Sequence, residues 1–129
     1  ESVLLHDGDA VTAVLRRLQA LGVKLSIDDF GTGYSSFAYL RRIKFDKIKI
    51  DQSFVRDLID DPDNAAIVRG IISLALSLGL SVLAEGVETE EIAQRLRHLQ
   101  CTYAQGYHFA RALRPEVFAL HQGMVAMPA

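Results

Sequence analysis

The amino-acid sequence predicts an α/β fold of about four βα units with parallel strands. Strand-like and helical patterns alternate four times along the 129 residues, and no linker or low-complexity segment interrupts them. This alternation favours a parallel sheet, because each helix carries the chain back to the start of the next strand. Four units equal half of an eightfold barrel, which takes roughly 250 residues. An open doubly wound sheet is the competing geometry.

The first half of the chain contains two predicted strands. Apolar residues keep helical spacing from Val11 to Leu21, and Gly22 ends this helix. The elements that follow are a strand at residues 23–28, a short helix at about 36–42 and an alternating strand at 47–51.

The second half repeats the pattern with clearer helix starts. Asp61 opens a turn that can cap a long helix at residues 65–78, which Gly79 ends. The remaining predicted elements are a buried strand at 81–84, a helix from Thr89 to about residue 98, a short strand at 102–105 and a final helix whose first turn contains Pro115.

Composition excludes several classes of protein. A formal net charge of −2 and a pI of about 6.1 give no electrostatic case for nucleic-acid binding. No stretch reads as a membrane span or a signal peptide. The single cysteine, Cys101, cannot form an internal disulfide and fits a reducing compartment. We therefore expect a cytoplasmic segment without membrane contact, although the parent protein could be membrane-anchored.

Two adjacent carboxylates, Asp28 and Asp29, lie at the end of the first predicted strand and precede a glycine-rich turn. Neighbouring anions repel each other unless a cation lies close to them. Mg²⁺ or Mn²⁺ meets this need, since hard divalent ions take oxygen ligands and tolerate shared carboxylates. The alternative is an acidic strand end that runs into a surface turn.

Each predicted strand ends with polar residues. In a parallel barrel the carboxyl ends of the strands build the active site, so residues at these ends are expected to meet. Each also has a simpler explanation: an ion pair of Lys49 with Asp51, a loop cap, or hydrogen bonds to the backbone. The residues are Asp28 and Asp29, then Lys49 and Asp51, then Glu85, and finally Gln105.

Five segments resemble the EAL domain family, the cyclic di-GMP phosphodiesterases of bacterial signalling. They cover nearly the whole chain and read Glu1-Ser2, Asp-Asp-Phe-Gly-Thr-Gly-Tyr-Ser-Ser from residue 28, Asp-Lys-Ile-Lys-Ile-Asp from 46, Ala-Glu-Gly-Val-Glu-Thr from 84 and Gln-Gly-Tyr-His-Phe from 105. The resemblance implies that residues 1–129 form the C-terminal half of a TIM-like (β/α)8 barrel. It also implies metal-dependent hydrolysis of cyclic di-GMP to linear pGpG.

The resemblance assigns roles to individual residues. Asp28 and Asp29 match paired ligands of two metal ions, Mg²⁺ or Mn²⁺, and Glu85 matches the carboxylate beside the second metal, as ligand or base. Lys49 matches the lysine that orients the attacking water, and Gln105 matches a supporting glutamine. Residues expected near the substrate or in the mobile loop that couples to dimerisation are Gly31, Thr32, Gly33, Asp51, Glu88 and Glu1, the last as the anchor of that loop.

The resemblance also implies that part of the site lies outside this sequence. The Glu-Ala-Leu motif, an asparagine ligand and a glutamate expected three residues before Glu1 are absent from it. We therefore expect this segment to be inactive alone and to act within a parent protein, in which a sensor or GGDEF-type domain could precede it. Two alternatives stay open: a non-catalytic module that binds cyclic di-GMP, and a structural half-barrel that pairs with a second copy as a homodimer.

Overall fold

The computed structural model describes residues 8–31 and 37–118 and contains one four-stranded parallel sheet in those ranges. None of the helices within them has the length and apolar character that crossing a bilayer requires. Residues 115–118 are also helical. The elements are α1 (Gly8–Ala20), β1 (Ser26–Phe30), α2 (Phe37–Arg42), β2 (Lys47–Ile50), α3 (Gln52–Arg56), α4 (Pro62–Ser77), β3 (Ser81–Ala84), α5 (Glu90–His98) and β4 (Tyr103–Ala104).

The strand order confirms the predicted α/β class. The strands lie in the order β1-β2-β3-β4 and all three neighbouring pairs are parallel. A doubly wound sheet reverses its strand order at a switch point, whereas barrel strands follow one another in sequence order. The sequential order therefore favours barrel geometry over the competing open sheet.

The two faces of the sheet differ in polarity because side chains alternate along each strand. Ile48 and Ile50 of β2 are fully buried, as are Val82 and Ala84 of β3. They belong to one apolar cluster with buried residues of α4 and α5. The alternate residues of β2 and β3 are only partly buried. The apolar face therefore packs against the helices, and the opposite face remains accessible for a functional site.

Side-chain caps fix where α4 and α5 begin. The Asp61 carboxylate accepts hydrogen bonds from the backbone N–H groups of Asp63 and Asn64, and Thr89 Oγ1 accepts one from Ile92. Each cap satisfies donors that the first helical turn leaves without partners. The structure thus confirms the predicted start of α5 at Thr89 and places the cap of α4 within the predicted turn. The predicted start of α4 at residue 65 is wrong, because the helix begins at Pro62, directly after its cap.

The predicted boundaries of the first two strands are also wrong. The first strand, predicted at 23–28, spans 26–30, because the Val23 N–H still donates to Leu18 O in the turn that closes α1. The second strand ends at residue 50 rather than 51, because Asp51 caps α3, a helix that was not predicted. A five-residue helix is too short to show a helical period in the sequence.

Candidate metal and phosphodiester site

A β-bulge near the end of β1 places two adjacent carboxylates on one side of the sheet. Ile27 pairs with Ile48 and Phe30 pairs with Ile50, so β1 advances three residues while β2 advances two. Ile27 and Phe30 both contact the apolar core. The extra residue leaves Asp28 and Asp29 together on the polar side, whereas adjacent residues of a regular strand point to opposite faces. Asp28 and Asp29 are therefore the third and fourth of the five residues of β1.

The backbone of Asp29 is in the left-handed region, with φ of 50°. Aspartate visits this region more readily than most residues, but such a conformation still costs about 1–3 kcal/mol. Asp28 Oδ1 accepts a hydrogen bond from the Asp29 N–H at 3.1 Å, which supports the bulged conformation. Strained backbone of this kind concentrates at functional sites, because the surrounding fold must impose it.

Lys49 lies between the carboxylates of two strands. Its Nζ is 2.8 Å from Asp28 Oδ1 and 2.8 Å from Glu85 Oε1. The hydrogen bond to Asp28, followed by the one to Glu85, raises the pKa of Lys49 to about 12. The hydrogen bond from Lys49 in turn lowers the pKa of Asp28 below its ordinary value of 3.8. Lys49 therefore keeps its charge at neutral pH and cannot act as a general base. Its partners are Asp28 and Glu85, not the Asp51 partner of the simpler explanation.

Glu85 is held by two side chains that reach the same oxygen. Gln105 Nε2 donates to Glu85 Oε1 at 3.0 Å, and Lys49 contacts this oxygen too. The Glu85 side chain is only 18% exposed. Within residues 8–31 and 37–118, no hydrogen bond is made to the second oxygen, Oε2. The arrangement fixes the carboxylate plane and leaves Oε2 available to a cation.

The loops after β3 and β4 are joined through their backbones. The Gln105 N–H donates to Ala84 O at 2.9 Å, the Val87 N–H to Gln105 O at 3.0 Å, and the His108 N–H to Val87 O at 3.0 Å. Gly106 makes this approach possible, since a Cβ atom there would lie 2.1 Å from Val87 O. The position of the Gln105 side chain is therefore tied to the loop that carries Glu85.

Three carboxylates meet at this edge of the sheet. One oxygen from each of Asp28, Asp29 and Glu85 lies within 4.8 Å of the other two. Only one ammonium, that of Lys49, faces Asp28 and Glu85 among the described residues, so negative charge remains in excess. Oxygen-only ligands and excess negative charge suit Mg²⁺ or Mn²⁺ rather than softer metals. The residues present therefore fit part of a divalent-cation site.

An open pocket of about 900 Å³ adjoins two of the three carboxylates. Asp29 and Glu85 line it together with two cations, Arg56 and Arg111. The Arg111 guanidinium lies over the Tyr107 ring, 4.7 Å from its centroid, in a cation–π contact. The volume suits a small ligand, and the mixture of cations with an aromatic ring suits an anionic molecule that carries flat rings.

The structure brings together Asp28, Asp29, Lys49, Glu85 and Gln105, as the strand-end pattern predicted. Glu1, Thr32 and Gly33 lie outside the described residues. The other predicted site residues lie around the cluster. Gly31 has a φ of 104°, and a Cβ atom added there would lie 3.0 Å from the Phe54 ring. Asp51 caps α3 and lines the pocket, and Glu88 lines the pocket from the loop after β3.

Sequence reasoning missed the roles of residues after Gln105. Tyr107 and Arg111 line the pocket, and His108 contacts Glu90. The Gln-Gly-Tyr-His-Phe segment contains Tyr107, but the resemblance gave no role to any single residue after Gln105. No periodicity links residues 90 and 108, so their contact needed the fold.

Comparison with known proteins agrees with this geometry. The EAL domain family model matches residues 1–112. The bifunctional diguanylate cyclase/cyclic di-GMP phosphodiesterase MucR of Pseudomonas aeruginosa is 46% identical over 116 residues, which is 90% of this chain and 17% of MucR. The chain spans only 14–20% of the length of the curated relatives it matches.

Solved structures give the same result. The EAL domain of Mycobacterium smegmatis DcpA superposes with a TM-score of 0.89 at 38% identity, over 99% of this chain and 57% of that one. Klebsiella pneumoniae BlrP1, solved at pH 6 with manganese and cyclic di-GMP, gives a TM-score of 0.78 at 40% identity, over 86% of this chain and 28% of that one.

Proposed function

This chain belongs to the EAL domain family, and on that premise we propose that it supplies the C-terminal half of a cyclic di-GMP phosphodiesterase domain. The reaction would be hydrolysis of one phosphodiester bond to give linear pGpG, with two divalent cations, Mg²⁺ or Mn²⁺. One observation carries the proposal: carboxylate oxygens of Asp28, Asp29 and Glu85 lie within 4.8 Å of one another beside the Lys49 ammonium.

The proposed chemistry divides between the cation and the side chains. A bound divalent cation would polarise the phosphate and lower the pKa of a coordinated water. Asp28, Asp29 and Glu85 would hold it. Lys49, fixed between two carboxylates and permanently charged, would orient the attacking water and offset negative charge on the phosphate. Gln105 would keep Glu85 in place through its 3.0 Å hydrogen bond.

The remaining assignments concern substrate and assembly. We assign Asp51 and Glu88 to the substrate side, since both line the 900 Å³ pocket. Gly31, Thr32 and Gly33 would form the loop that couples the site to a homodimer partner, with Glu1 as its anchor. Further metal ligands would come from residues outside this sequence, in a cytoplasmic domain that a sensor or GGDEF-type domain could precede. The longer solved relatives support this division.

Hydrolysis of cyclic di-GMP by the full-length protein tests the proposal. With Mn²⁺ present, chromatography should show pGpG as the product, and EDTA should abolish its formation. The 129-residue segment alone should give no turnover, since the described ligands complete only part of the site. Binding of cyclic di-GMP by the full-length protein without hydrolysis would contradict the proposal and favour the sensor alternative.

A further inference from the structure

Glu90, at the start of α5, is contacted on both of its oxygens. Oε2 lies 2.8 Å from His108 Nε2, and Oε1 accepts hydrogen bonds from Arg97 Nη1 at 2.9 Å and Gln94 Nε2 at 3.2 Å. The hydrogen bond from Arg97, followed by that from Gln94, lowers the pKa of Glu90 below its ordinary value of 4.5. Glu90 is therefore an anion at neutral pH, oriented by its own helix toward His108.

His108 belongs to the loop after β4, and its side chain bridges that loop to α5. Its backbone N–H already donates to Val87 O, so the residue is attached at two points. The imidazole also meets the Phe109 ring edge-on, with 4.9 Å between centroids. These contacts leave only 26% of the His108 side chain exposed, and they restrict the ring to an orientation that faces Glu90.

The attachment supplements a short strand ladder. β4 pairs with β3 at only two positions, Leu83 with Tyr103 and Ala84 with Ala104. Beyond these two positions, the Gln105 N–H donates to Ala84 O and the Val87 N–H donates to Gln105 O. Strand ends and loops with few such bonds open more readily than the centre of a sheet. Contacts further along the loop therefore add to these two hydrogen bonds in fixing the Gln105 side chain.

A continuous set of contacts joins Glu90 to the carboxylate cluster. From His108 the loop leads back three residues to Gln105, whose side chain donates to Glu85 Oε1. Movement of the loop away from α5 would withdraw this donor and allow the Glu85 carboxylate to rotate. Because Glu85 is one of three carboxylates in the cluster, such rotation would weaken its hold on a cation.

We propose that Glu90 and His108 form a latch that positions Gln105, and through it Glu85, and so raises the affinity of the site for a divalent cation. Both are positioning residues, since neither reaches the carboxylate cluster. The proposal rests on the proposed function of this site as a metal-dependent one. It deepens that proposal by naming a residue pair, on α5 and on the loop after β4, that raises the affinity of the site for the metal.

Mn²⁺ titration of the full-length protein, followed by electron paramagnetic resonance without substrate, tests the latch. His108→Ala and Glu90→Ala should each raise the Mn²⁺ dissociation constant about three- to fivefold, the range expected for loss of one half-exposed polar contact. The double variant should be no weaker than either single one, because both remove the same contact. Melting midpoints should stay within about 2 °C of the wild type.

Two further variants separate positioning from a general structural effect. His108→Gln should restore most of the affinity, since its amide nitrogen can donate to Glu90 as Nε2 does. His98→Ala removes a histidine of α5 whose Nδ1 contacts Gln94 O, and it should leave the dissociation constant unchanged. In hydrolysis assays, excess Mn²⁺ should return the turnover number of His108→Ala to that of the wild type.

The outcomes distinguish the two proposals. Wild-type affinity in His108→Ala and Glu90→Ala would overturn the latch, whether or not the protein hydrolyses cyclic di-GMP. Mn²⁺ binding that weakens in these variants, in a wild type without hydrolysis, would support the latch and overturn the proposed reaction. A loss of turnover that excess Mn²⁺ does not restore would also overturn the latch as a metal-positioning device.

Discussion

The carboxylates of β1 and the polar residues after β3 and β4 face each other across Lys49, but the fold holds them in different ways. On β1, a bulge and the positive φ of Asp29 present the aspartates, and the Asp28 side chain is 62% exposed. After β3 and β4, Glu85 is 18% exposed, accepts from Gln105 and lies in loops joined by backbone hydrogen bonds.

This difference indicates two tasks within one site. The exposed aspartates can shift to meet a cation, at the cost of local strain in the bulge. The enclosed glutamate is already oriented and loses little freedom when it binds. Lys49 joins the two sides, since it contacts one carboxylate from each.

Asp28→Asn should have the largest effect, because it removes the charge of a proposed metal ligand on β1. We expect hydrolysis of cyclic di-GMP by the full-length protein to fall roughly 10³-fold, even at saturating Mg²⁺. Asp60→Asn, at an exposed aspartate outside the site, should leave the rate unchanged. Turnover retained in Asp28→Asn would contradict its role as a ligand.

Gly106→Ala should disrupt the packing of the loops after β3 and β4. The new Cβ would lie 2.1 Å from Val87 O, so the loops after β3 and β4 would have to separate. We expect the free energy of unfolding to fall by about 3 kcal/mol, as in severe overpacking. Gly79→Ala is the matched control: its φ is also positive, at 70°, but nothing lies within 4 Å of the new methyl group. It should cost about 1 kcal/mol, from backbone strain alone. Equal losses in urea unfolding would refute the close approach.

Lys49→Ala tests the link between the two sides. We expect the turnover number to fall about 10²-fold with little change in KM, because the ammonium acts on charge that develops in the reaction. With a pKa of about 12, Lys49 stays protonated up to roughly pH 10.5, so its titration should not shape the pH profile near neutrality. A variant that loses affinity alone would show that Lys49 only binds substrate.

Arg111→Ala should have a smaller effect, confined to binding. The guanidinium lies over Tyr107 at the pocket wall, where it can meet a phosphate or a base. We expect KM for cyclic di-GMP to rise about fivefold, as for loss of an exposed cationic contact. Arg114→Ala, at an exposed arginine of the same segment, is the control. Equal KM values for both variants would place Arg111 outside the substrate site.

The sequence predicted the meeting of strand-end residues for a simple physical reason. In a parallel sheet, the carboxyl ends of all strands lie at one edge, so Asp28, Lys49, Glu85 and Gln105 had to come close once the strands were recognised. The caps of α4 and α5 were predictable too, because the capping residue lies within four residues of the groups it satisfies.

The sequence did not predict how the site is held. The bulge depends on the pairing register of β1 with β2, which the alternation pattern of either strand alone does not specify. Glu90 and His108 are 18 positions apart and meet only in the folded chain. Neither residue type indicates the other as its partner. Such contacts follow from tertiary packing rather than from local preference.

Mn²⁺ binding by the full-length protein, measured by electron paramagnetic resonance, tests the central claim most directly. The claim is that the bulge on β1 places Asp28 and Asp29 with Glu85 around a divalent cation. Wild-type protein should bind Mn²⁺, and Asp28→Asn and Glu85→Gln should each weaken binding at least tenfold. Wild-type affinity in both variants would show that the three carboxylates do not form a metal site.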